Sequence, residues 1–74
     1  MTLKRHLISP KHIVGSKWTT LTPIQGWVHF HVITWTPDTK RVELRASCDK
    51  HIQFWVFKSE LENRELWLPG WKVF

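Results

Sequence analysis

His29 and His31 stand one residue apart in the most β-prone stretch of the chain, the ten residues from Trp27 to Thr36. A strand sends alternate side chains to one face, so both imidazoles share a face and could hold a metal ion. Zinc wants three or four ligands, and the third would have to come from His51 or Cys48. Cys48 alternates with Val42, Leu44 and Ala46, an apolar set, which turns it away from the histidines. It reads as a small buried thiol, because no base or orienting group is marked out beside it. A single cysteine also excludes an internal disulfide and a multi-cysteine zinc site. Glu60, Glu62 and Glu65 fall close together, but helix capping and solvation account for them. There is no phosphate loop, Gly-rich stretch or triad spacing. The expectation is surface histidines, no metal, no cofactor and no enzymatic activity, since a domain this small rarely encloses a dry pocket.

The unusual chemistry is aromatic. The chain has six Trp and four Phe, with no Tyr, in 74 residues. Along 27–36 the apolar face is Val28, Phe30 and Val32, which places Trp27, His29, His31 and Trp35 outside or in a second layer. Along 51–57, Trp55 faces out if Phe54 faces in. A β-bulge would invert either assignment downstream of it. Three exposed Trp with two His make a patch of the kind that marks a binding site.

Eleven basic and six acidic residues leave a net charge of +5, and the pI is about 9.9. Arg41 and Arg45 lie on the polar face of their strand. Lys17 next to Trp18 offers a phosphate or carboxylate contact beside an aromatic platform. Alternatively, Lys17 lies along Trp18 while the ring closes the fold. Trp faces stack on unpaired bases while Lys and Arg hold phosphates. The expected site is therefore Lys17, Trp18, Trp27, His29, His31, Trp35, Arg41, Arg45 and Trp55, and the favoured ligand is single-stranded nucleic acid. The alternative is a protein-interaction adaptor whose aromatic groove takes a peptide or a partner protein, as monomer or homodimer.

These residues must be positioned by a single small domain. Residues 1–11 carry Lys4, Arg5, His6 and Lys11 and read as a basic N-terminal arm, followed by one β domain over 12–74. Ser9-Pro10 could open a helical turn that runs through Val14 and stops at Gly15. A first strand spans 16–22 and ends at Pro23; the second is 27–36. Pro37-Asp38-Thr39 is a turn, residues 40–48 alternate as a half-buried strand, Asp49-Lys50 turns again, and 51–57 is a fourth strand. Ser59 with Glu62 fits a capping box, so a helical turn is expected near 60–66. Pro69-Gly70 ends it, and 71–74 forms a last short strand. The fold class is mainly β, a small antiparallel SH3-like barrel of four or five strands, with an open sheet crossed by one helix as the alternative. A membrane helix needs about 20 apolar residues, and the longest strongly apolar run is Phe54–Phe57. No membrane partner is expected. No secretory signal follows Lys4-Arg5, and a free thiol suits the cytoplasm.

Several segments together carry a family pattern: Ser16-Lys17-Trp18-Thr19, Pro23, His29-Phe30, Val42-Glu43-Leu44-Arg45-Ala46, Phe54-Trp55-Val56, Glu60-Leu61, Trp67 and Gly70-Trp71. The chain resembles the small tryptophan-rich proteins of cyanobacteria and marine proteobacteria, a family of uncharacterised function. The resemblance covers about residues 9–72. Its most specific parts are the Ser-Lys-Trp-Thr start and the Trp-x-x-Gly-Trp end. Phe57 stands where relatives are expected to carry Trp, and Trp27 and Trp35 are additional. The resemblance implies a compact bacterial protein and supplies no substrate, cofactor or catalytic residue.

Overall fold

The computed structural model describes residues 12–73. The basic arm and its Ser9-Pro10 turn lie outside the described residues. Within them, β1 (Lys17–Ile24), β2 (Trp27–Thr36), β3 (Arg41–Ala46), β4 (Gln53–Phe57), the one-turn helix α1 (Lys58–Leu61) and β5 (Trp67–Pro69) follow in order. All five strands join one antiparallel sheet in the order β4-β3-β2-β1-β5. β-branched and aromatic residues fill β2, the central strand, as their preference for a pleated surface dictates. β1 turns into β2 through Gln25 and Gly26, both at positive φ (51° and 84°), the hairpin turn whose twist matches its strands.

Cross-strand register sorts the sheet into two faces. Trp18, Phe30 and Ala46 form one row, and Val32, Leu44 and Phe54 the next. With Ile13, Val42, Leu61 and Trp67 they build the core. The Phe30 ring meets Phe54 of β4 edge-on at 5.5 Å and Trp67 of β5 at 5.8 Å. Those two strands are the opposite edges of the sheet. The sheet therefore curls until both edges touch one central ring, and Leu61 of α1 is buried beside it.

The expected barrel is not closed: among the described residues β4 and β5 pair only with their inner neighbours. Closure needs a further ladder between the edges, and α1 with the turns after it occupies the chain between them instead.

Other expectations shift for local reasons. β1 runs on through Pro23 to Ile24, because β5 pairs only with Trp18–Thr20 and nothing beyond it needs the missing proline N–H. α1 starts directly on β4 at Lys58, one residue before Ser59, and has no side-chain cap. Ser59 and Glu62 therefore form no capping box. Glu62, almost fully buried, instead accepts from Lys58 Nζ at 2.6 Å across one helical turn. The last strand is Trp67–Pro69 rather than 71–74. Gly70, at φ 79°, turns the chain off the sheet, and residues 71–73 are not strand. β3 ends at Ala46, so Cys48 leaves the apolar face and is exposed, against the expectation of a buried thiol.

A candidate binding face on the outer side of the sheet

The face opposite the core carries most of the expected site. Lys17 of β1, His31 of β2, Arg45 of β3 and Gln53 of β4 lie in one cross-strand row. Thr34, Glu43 and Trp55 form the next row, and Thr36, Arg41 and Phe57 the one beyond. Lys17, His29, His31, Arg41, Arg45 and Trp55 thus share a surface, as alternation implied.

Trp35 does not. The β2–β3 register slips between Val32 and Thr34. That bulge places two β2 residues against one of β3 and inverts every position after it. Trp35 then pairs with Val42 and packs, half-buried, against the core. Trp18 is also a core residue, 3% exposed, and its Nε1 donates to Ser16 Oγ at 2.9 Å. Neither ring belongs to the outer face. Trp27 keeps the parity of His29 and is exposed, but it sits at the β1–β2 turn, the far end of its strand.

Trp71 is the member that alternation could not supply. After Gly70 the chain crosses the outer face as a strap. Thr19 Oγ1 donates to the Gly70 carbonyl and accepts from the Lys72 N–H, each at 2.8 Å, which buries Thr19 completely. His29 Nε2 donates to the Lys72 carbonyl at 2.7 Å. Trp71 Nε1 donates to the Phe30 carbonyl at 2.9 Å. Its ring stacks on His29 with centroids 5.9 Å apart, and Lys17 Nζ lies 4.8 Å from the ring centroid. Lys17 therefore lies over Trp71 and not along Trp18. The only hint was the Trp67-x-x-Gly70-Trp71 spacing, which says that a turn follows β5 and not where it leads.

At the other end of the face the Arg41 guanidinium sits 4.9 Å over the Phe57 ring. Thr36, Thr39, Arg41 and Trp55 line a shallow hollow of about 230 Å³. Arg45 Nε donates to Gln53 Oε1 at 2.8 Å, which holds the guanidinium over the sheet. Glu43, between the two arginines along β3, accepts from Thr34 Oγ1 at 3.1 Å. His31 Nδ1 is buried and has no hydrogen-bond partner among the described residues.

These groups can stack on planar rings and hold anions. Among the described residues no three His, Cys, Asp or Glu side chains gather as a metal set, and no helix is long and apolar enough to cross a membrane. A larger groove of about 470 Å³ opens between the β2–β3 turn and the start of α1, lined in part by Trp35, Pro37, Phe57 and Lys58.

Comparison with curated proteins and with solved structures finds no match. The family described as tryptophan-rich protein (DUF2389) matches residues 16–72, from the turn before β1 to the strap. That span includes the core rings Trp18 and Trp67, the row from Lys17 to Gln53 and Trp71, so the chain belongs to this tryptophan-rich family.

Proposed function

We propose that the protein is a non-enzymatic binding module for single-stranded nucleic acid. One observation carries this reading: the row Lys17–His31–Arg45, with a cation at each end, shares a face with the hollow between Arg41 and Trp55. Phosphates need cations spaced along a track, and unpaired bases need an exposed ring to stack on. Trp55 offers that ring, 46% exposed and beside a guanidinium. Trp71 stands at the Lys17 end of the row as a second platform, while Trp27 lies too far along β2 to extend the track. A net charge of +5 favours a polyanion. A curled five-stranded sheet of this kind also resembles the half-open form of an SH3-like barrel, a framework that presents such a face rigidly. The exposed thiol of Cys48 suits a reducing compartment, and we place the protein in the cytoplasm.

The test is a titration with oligo(dT) and oligo(U), following Trp fluorescence at about 50 and about 200 mM salt. Quenching that weakens steeply at the higher salt, and that is lost in Trp55→Leu, supports the reading. No quenching at the lower salt overturns it. The groove walled by Trp35, Pro37 and Phe57 favours a second reading, an adaptor for an extended or Pro-rich peptide. Peptide binding there would be nearly indifferent to salt and would survive Trp55→Leu.

A further inference from the structure

The two edges of the sheet are unlike. β5 has three residues, ends in Pro69 and passes at once into the strap, all features that blunt an edge. β4 has five residues, Gln-Phe-Trp-Val-Phe, with no proline, no charge and no register slip against β3. In a chain that is 23% charged, this is the one edge left without the usual protection among the described residues.

The ladder shows which backbone groups are free. Ala46 N–H donates to the Ile52 carbonyl and Lys58 N–H to the Lys40 carbonyl. Hydrogen-bonded pairs alternate along an antiparallel ladder, so Phe54 and Val56 turn their backbone groups toward β3. Gln53, Trp55 and Phe57 turn theirs toward the open edge.

We propose that β4 is a homodimer edge, two copies pairing antiparallel about a twofold axis at Trp55. In that register Trp55 faces Trp55 of the second copy, and Gln53 faces Phe57. All three free residues then fall in hydrogen-bonded pairs, and the two sheets join into one of ten strands. The seam is self-complementary in chemistry as well as backbone. Trp55 and Phe57 meet on the outer face, half-buried Phe54 and Val56 on the inner. β4 itself carries no charge, and Arg41 and Arg45 are rooted one strand back, on β3. A foreign strand would satisfy the same backbone groups, but nothing on β4 selects one, whereas Gln53–Phe57 selects itself. This inference does not rest on nucleic-acid binding.

The test uses the full chain without nucleic acid. Sedimentation over about 1 μM to about 1 mM, the range of weak strand-edge contacts, should show the mass rise from one to two chains; one chain is 8.9 kDa. Amide exchange locates the interface. On dilution the Gln53, Trp55 and Phe57 amides should become fast while Phe54 and Val56 stay slow. Trp55→Lys sets two ammonium groups face to face and should remain a monomer with Phe54 and Val56 still protected. A single-chain mass at every concentration overturns the proposal. So does a dimer in which Gln53, Trp55 and Phe57 exchange freely, or one that persists in Trp55→Lys. If that variant fails to fold, the exchange pattern of the unaltered chain decides alone.

Discussion

Trp71→Ala tests whether the strap is docked in solution. The ring is 43% exposed, so about 57% of it (100 − 43) is covered. A Trp offers roughly 200 Å² for burial, so about 115 Å² would return to water, or about 3 kcal/mol at 25 cal/mol per Å². A compact unfolded chain and the retained methyl group bring that to about 2 kcal/mol. The lost hydrogen bond to Phe30 adds about 1 kcal/mol. The lost Lys17–ring contact at this exposed site adds roughly 0.5 kcal/mol. The sum is about 3.5 kcal/mol, which in a domain of this size lowers Tm by roughly 15–25 °C. Thermal unfolding followed by far-UV circular dichroism reads it directly. Trp71→Phe keeps the stack on His29 and loses the hydrogen bond, so it should fall by about 1–1.5 kcal/mol. If Trp71→Ala stays within about 0.5 kcal/mol of the parent protein, as an exposed substitution would, the strap does not dock and this account of the outer face fails.

The bulge makes a matching prediction. Trp35→Ala should cost about 2–4 kcal/mol, because the ring packs on the core, while Trp27→Ala should cost under about 1 kcal/mol; equal losses in urea melts would contradict the register. At the first hairpin, Gln25→Asn suits the positive φ and should raise stability by roughly 0.5 kcal/mol, and a fall would show that Gln25 has another role. On the binding face, Arg45→Ala should reduce the salt slope for single strands by about 0.7, as loss of one phosphate contact requires. Glu43→Gln removes the carboxylate between the two arginines and should tighten binding by roughly 2–5-fold, a change on the scale of an exposed charge interaction; weaker binding would place the track elsewhere.

Most of the scaffold was legible because one face of β3, and of β2 as far as the bulge, is uniformly apolar. Val42, Leu44 and Ala46 alternate with Arg41, Glu43 and Arg45, and both sets lie where period two puts them. β2 was readable to its ends for the same reason of composition. The misses share another cause. A bulge adds one residue and leaves no mark when that residue is β-branched among β-branched neighbours, as at Ile33-Thr34. Ser59 and Glu62 have the capping-box spacing, yet β4 passes into α1 without a loop and shifts the start to Lys58. Trp71 looked like the first residue of a strand because Val73 and Phe74 follow it. Its place is set by Gly70 and by Thr19, which lies fifty-one residues from Gly70 along the chain and which no local pattern connects to it.

The division of the six tryptophans follows from the curl of the sheet. Trp18 and Trp67 fill the concave side, and Trp35 closes its end after the bulge. One small concave face has no room for more, since Phe30 already meets both edges. The convex side needs no core, yet a sheet five strands wide cannot leave it bare without exposing Thr19 and the β1–β2 ladder. The strap covers that half with Trp71. The β3–β4 half has no such cover among the described residues, and there Trp55, Phe57 and the two arginines stand open. Stability therefore rests on the concave rings and the strap. The open half of the convex face and the β4 edge beside it are free to change without unfolding the domain, as the tolerance expected of Trp27 and Trp55 and the intolerance expected of Trp35 and Trp71 would register.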